Sequence, residues 1–330
     1  MIELKRDAMV FSFPEVHPEA QFRIDFQRTL RLPDDGNDYP LPAGLGRFPL
    51  RHVDDFAEQV PETWLARGGV MLPMYQSEAM WLNISSPSRY PFAVKVAAGK
   101  VNAVTGAPWE NGLTRTPQDY LTLPEQSWLD GFCVEEGVVR QFVAMPLGNG
   151  YTAEEQLTGK AEHGGIQIIA YPMRREAWER MRRPSYPDHS LAKASVNYSA
   201  SDMGMAPGGR MRQEVYDDPH DFGDWSTQHR SRCFVHLANT LVWRHITGQS
   251  PPTTPPTAKE YASEGLPWFE LYSRDQEALR GGKFPGMKSV AELAKEKGQN
   301  PLPENESVTP GDVIALRNGL GKHEVRDGRF

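Results

Sequence analysis

The sequence predicts an α+β fold: a predominantly antiparallel β core, sandwich or barrel-like, with few short helices and a Pro-rich C-terminal extension. Three observations carry that expectation. β-Branched and aromatic runs recur from residue 9 to about 245 with turn residues between them, helical periodicity is confined to a few brief segments, and a proline tract at 251–256 separates this chain from a polar end. The domains expected are therefore a β-rich core over 1–250 and a partly helical extension over 251–330 packed on it. A chain of 330 residues with 39% hydrophobic and 24% charged residues has ample material for a core, which excludes wholesale disorder. Its 28 prolines and 29 glycines ask for many turns and long connections.

Taken in order, Phe22, Ile24 and Phe26 alternate with Arg23, Asp25 and Gln27, the pattern of a strand buried on one face, and Leu30 and Leu32 continue after a break in phase. Pro33-Asp34-Asp35-Gly36 is a turn, proline presetting φ and glycine taking the positive value. Gly69 to Tyr75 and Ala79 to Ile84 are apolar on both faces and read as buried strands. Phe92-Ala93-Val94-Lys95-Val96 and Val101 to Val104 flank Ala97 to Lys100 as a hairpin. A second hairpin runs from Gly131-Phe132-Cys133-Val134 through Glu135-Glu136-Gly137 into Val138 to Met145.

Gly148-Asn149-Gly150 then leads to Thr152-Ala153-Glu154-Glu155, a capping box that should start a two-turn helix ending at Gly159. Ile166 to Tyr171 reads as a central strand, and Pro172 to Arg183 as an arginine-rich helix with Met173, Ala177, Trp178 and Met181 on one side. A further helix should follow Asn239 or Thr240 and stop at Gly248. Beyond the stiff Pro251-Pro252-Thr253-Thr254-Pro255-Pro256 spacer, Thr257 to Glu260 repeats the capping box and Ser289 to Lys297 is amphipathic.

Charge and cysteine usage bound the function. A net charge of −7 disfavours nucleic acid or an anionic membrane as partner, and no run approaches the length of a membrane span. Cys133 and Cys233 make no disulfide framework, and charges follow Met1 where a signal peptide needs its apolar core, so a cytoplasmic location is expected.

The densest chemical grouping is Asp217, Asp218, His220, Asp221, His229 and His236. Carboxylates and imidazoles in such numbers could hold a divalent metal and activate its water, although the spacing fits no named metal motif. If Cys233 to His236 lies in a strand, its two ends point to opposite faces and cannot chelate together. Two glycine-rich stretches could cradle a phosphate: Gly148, Asn149, Gly150 and Thr152 at a helix start, and Gly208, Gly209 and Arg210 in Met203 to Arg212. Against these stand plainer accounts, a well-capped connection with Glu154 and Glu155 opposing any anion, and a mobile loop.

Ser190-Leu191-Ala192-Lys193 with Ser195-Val196-Asn197 matches two serine acyltransferase elements, but they lie end to end where the chemistry needs them on separate elements. Cys133 with His163 is set aside because Cys133 falls in an apolar strand. The leading expectation is a binding or interaction module for a protein or small-molecule partner. The rivals are a metal-dependent hydrolase or lyase at 217–236 and a phosphate or nucleotide binder at the glycine turns.

Overall fold

A computed structural model of the chain describes residues 1–181, 203–272, 278–299 and 305–317. Among these residues the strands form one ten-stranded, one seven-stranded and one three-stranded sheet, mostly antiparallel, the α+β fold with a β core that the alternation implies. The ten-stranded sheet runs Ile2–Leu4, Met9–Ser12, Gln21–Thr29, Ala79–Ser85, Val138–Pro146, Met203–Arg212, Asp38–Tyr39, with Gly44–Arg47, Trp128–Leu129 and Gly131–Glu135 paired beside this path. The seven-stranded sheet runs Val101–Asn102, Phe92–Ala98, Ile166–Pro172, Ser231–Asn239, Val70–Met74, Arg51–His52, with Leu121–Leu123 beside Phe92–Ala98.

Side-chain alternation packs these two sheets face to face. Phe22, Ile24 and Phe26 from one sheet and Phe92, Val94 and Val96 from the other enter a single buried apolar cluster, together with Leu82, Ile84, Ile166, Ile168, Val235 and Leu237. The register keeps equivalent faces aligned, Ile24 opposite Ile84 and Phe26 opposite Leu82. Two segments read as hairpins pair as expected, Gly131–Glu135 with Val138–Pro146 and Phe92–Ala98 with Val101–Asn102.

Helix boundaries follow the caps. Thr152, Thr257 and Ser289 each form a complete capping box, and the Asn239 side chain accepts from the backbone N–H groups of Leu241 and Val242. The arginine-rich helix is shorter than its pattern, Arg175–Met181, because Pro172 still belongs to the preceding strand; Arg182 and Arg183 lie outside the described residues.

Several described residues beyond 250 lie against the outer face of the ten-stranded sheet. Ala258, Tyr261 and Trp268 cover Leu30, Leu32, Val139 and Met211, while Val290 and Ala294 cover Ala79, Val143, Met145 and Ala206. The proline spacer is held as well: Tyr75 Oη donates to the Pro252 carbonyl at 2.9 Å and Arg28 Nη2 to that of Thr253 at 2.6 Å. Arg28 is itself buried against Glu78, each side chain 1% exposed, so this tether starts from a buried ion pair. No helix among the described residues is long and apolar enough to cross a membrane.

Candidate functional site

The six Asp and His residues of 217–236 go to separate places, and among the described residues no three His, Cys, Asp or Glu side chains gather as a metal set. Asp217 and Asp221 are exposed. Asp218 is buried and saturated: its Oδ2 accepts from Arg115 Nη1 (3.0 Å), Tyr120 Oη (2.6 Å) and Trp225 Nε1 (2.9 Å), and its Oδ1 from the His220 N–H (2.9 Å). His229 Nδ1 pairs with Ser226 Oγ at 3.0 Å. His236 stacks between Trp64 and Phe234, with ring centroids at 4.6 and 4.4 Å, and its Nε2 meets the Gly68 carbonyl at 3.0 Å. Burial holds its pKa down at about 4, which keeps the ring neutral.

The glycine-rich turns have their donors satisfied internally. Glu155 takes the Gly150 N–H on Oε1 (2.7 Å) and the Thr152 N–H on Oε2 (3.2 Å), and the Asn149 carbonyl accepts from Lys297 Nζ, so a side-chain carboxylate stands where a phosphate would. Gly148 opens this turn at φ +92°. Met203–Arg212 is a ten-residue strand where the composition suggests a mobile loop. Its glycines serve close packing: a Cβ at Gly208 would meet Val143 Cγ2 at 2.4 Å, and one at Gly209 the Pro33 carbonyl oxygen at 2.4 Å. Arg210 is engaged at both ends of its fork, Nε with Asp38 at 2.6 Å and Nη1 and Nη2 with Glu135 at 2.7 and 3.0 Å. Ser190 to Lys193 and Ser195 to Asn197 lie outside the described residues.

A different group of residues carries unmet polar chemistry. In the strand Gln21–Thr29, the side opposite Phe22, Ile24 and Phe26 is buried as well, with Asp25 1% exposed. Asp25 accepts from Gln27 Nε2 and from Asn83 Nδ2 at 3.2 and 3.3 Å, and Arg23 Nε and Arg47 Nε approach it at 3.5 and 3.3 Å. The register sets Asp25 beside Asn83 and Asn83 beside Trp128, one row across three strands; Gln27 stands beside Trp81 and Arg47 in the next. Asp130 follows just past the strand Trp128–Leu129, 4% exposed, with its carboxyl acted on by the Trp128 indole.

On this polar floor, six buried polar atoms make no close hydrogen bond among the described residues, Arg23 Nε and Nη2, Arg47 Nε, Gln27 Oε1, Trp128 Nε1 and Asp130 Oδ2; of these, Arg23 Nε and Arg47 Nε pair electrostatically with Asp25, and the Trp128 indole acts on the Asp130 carboxyl. Buried polar groups are normally satisfied, and leaving one unpaired costs about 1–3 kcal/mol. Burial pushes the Asp130 carboxyl up to about 7, with the Trp128 indole as the group that pulls the other way. Arg23 and Arg47 are about a third exposed at the edge of the floor, with side-chain exposures of 31% and 33%.

Three glutamines hold the connection that supplies Trp128 and Asp130. Gln118 Nε2 donates to the Tyr120 and Tyr216 carbonyls, Gln126 Nε2 to that of Trp128 at 2.9 Å, and Gln213 Oε1 accepts from the Asp130 N–H at 2.9 Å. Segments 118–130 and 213–218 are thereby joined through side chains. Sequence patterning misses this site because Asp25, Gln27 and Arg23 carry the ordinary signature of a solvent face. The available signal is the Trp-x-Asp of Trp128 and Asp130, an aromatic and an acid two residues apart at the end of a short strand.

Comparison of the chain with protein-family models, curated proteins and solved structures finds no match in any of the three.

Proposed function

We propose that the protein is a binding module for a polyhydroxylated, ring-shaped small molecule, such as a sugar, held on the polar floor of the ten-stranded sheet. The supporting observation is the gathering of six buried polar atoms that make no close hydrogen bond among the described residues, donors and acceptors together, on one sheet face. A hydroxyl both donates and accepts, so a ring bearing several can satisfy guanidinium, indole, amide and carboxyl groups at once. The Trp81 and Trp128 side chains, both partly exposed, offer apolar faces against which such a ring packs. Asp25 and Asp130 are two strand spacings and two residues apart, roughly 12 Å between Cα positions at about 4.8 Å per strand and 3.3 Å per residue. That span suits one or two sugar rings.

The test is calorimetry and thermal shift with a panel of monosaccharides, disaccharides, polyols and uronic acids. A ligand at about a hundred times its Kd stabilises the fold by about 2.7 kcal/mol, which reads as a rise in Tm. The rise should vanish in Trp128→Ala and Asp25→Asn. Absence of heat and of a Tm shift across the panel, with ordered waters filling the floor in a high-resolution crystal structure, would overturn the reading.

A further inference from the structure

We propose that His220 and Glu125 form a general-base dyad that activates water against an apolar carboxylic ester. The dyad lies outside the polar floor, although Glu125 belongs to the same connection as Trp128. Its two facing atoms, His220 Nε2 and Glu125 Oε2, are both buried, both lack a hydrogen-bond partner among the described residues, and stand 4.0 Å apart. The imidazole is 9% exposed and the carboxyl 20%. Closing the gap by about 1 Å gives an ordinary N–H···O bond.

The surroundings fix which way the ring points. The His220 N–H is bound by Asp218 Oδ1 and its carbonyl by Arg115 Nη1 at 2.6 Å, so the backbone is clamped on both sides of the side chain. The ring packs edge-on against Trp225, centroids 5.4 Å apart. Asp218 is thus a positioning residue, its acceptor sites filled by Arg115, Tyr120, Trp225 and the His220 backbone. With Nε2 enclosed and facing Glu125, Nδ1 is the nitrogen the dyad would turn to water. A carboxylate behind one ring nitrogen and an open second nitrogen is the arrangement in which an imidazole removes a proton from water.

The groups facing the pair are Arg89 and Asp218, acting on Glu125 with opposite sign, and Arg115 beside His220. Burial holds the Glu125 carboxyl above the usual carboxylate range. Phe222, two residues along the chain from His220, is 42% exposed with its ring centroid 6.5 Å from that of Tyr120, and an apolar side chain there would favour an apolar acyl group over a charged one.

In the step, water gives a proton to His220 Nδ1 while its oxygen bonds to the ester carbonyl carbon. The tetrahedral adduct then breaks its bond to the alcohol oxygen, which recovers the proton from His220. The products are a carboxylic acid and an alcohol, with no change of oxidation state.

The experiment is hydrolysis of p-nitrophenyl acetate and butyrate across pH 5–9 by the full chain, together with diethylpyrocarbonate labelling of His220 followed by mass spectrometry. The dyad predicts a rate rising with deprotonation of one imidazole, a loss of about 10²-fold or more in His220→Gln, and an apparent pKa moved downward in Glu125→Gln. Phe222→Ala should raise KM for the butyrate and leave the acetate unchanged. Labelling of wild type needs no variant to fold: His220 of the native protein should be carbethoxylated. An unlabelled His220 in native wild type, or a His220→Gln protein hydrolysing at the wild-type rate, would overturn the proposal.

Discussion

Replacing Asp130 by Asn should flatten part of the pH dependence of stability. In the folded chain burial pushes this carboxyl to about 7 from an ordinary 3.8, so below pH 3.8 the group is neutral in both folded and unfolded states and carries no penalty. As pH rises, the unfolded chain releases the proton while the folded chain keeps it, and stability falls until the folded carboxyl also ionises near pH 7. The difference between 3.8 and about 7, at about 1.36 kcal/mol per pH unit, amounts to about 4 kcal/mol lost at alkaline pH. Between pH 5 and pH 8 the loss is about 3 kcal/mol by the same reckoning. Urea denaturation at these two pH values measures it: wild type should lose about 3 kcal/mol more than Asp130→Asn. Parallel pH profiles for the two proteins would refute the reasoning, because they would mean that Asp130 titrates alike in the folded and unfolded chain.

Two further outcomes follow from buried groups elsewhere. Arg28→Ala leaves Glu78 charged and enclosed and removes the donor to the Thr253 carbonyl, so it should cost about 3–5 kcal/mol in urea denaturation and expose 251–256 to limited proteolysis. Burial pushes the thiol of Cys133 up to about 12, and that of the partly buried Cys233 to the same value, so neither should react readily with a disulfide reagent at pH 8 until denaturant is added; prompt labelling of Cys133 in the native protein would contradict its burial.

Local chemistry made much of the fold legible. The strand Ile166–Pro172, both hairpins, the capping boxes at Thr152 and Thr257 and the amphipathic helix after Ser289 depend on neighbours within a few residues, and they stand where the residues place them. What sequence could not convey was which faces the tertiary structure covers. Asp25 and Gln27 look like part of a solvent face and are enclosed; Met203–Arg212 looks like a loose glycine loop and is a long strand whose missing Cβ atoms admit Val143 and Pro33. The Asp and His residues of 217–236 are close in sequence, yet Asp218 is taken by Arg115 and Tyr120 from a hundred residues earlier, and His220 meets Glu125. Adjacency along the chain does not carry that information.

The cover that Ala258, Tyr261, Trp268, Val290 and Ala294 lay over the ten-stranded sheet has a consequence for how the protein is made. Translation delivers the cover last, after the strands beneath it have left the ribosome. Until then Leu30, Val139, Val143 and Met211 present an uncovered apolar sheet face, and the contacts that close it are long-range in sequence, those of Leu30, Val139 and Val143 spanning more than a hundred residues. The nascent chain therefore passes through a stage in which its largest sheet is adhesive, the kind of surface chaperones retain. A release of the chain before residue 250 would fix it permanently in that stage.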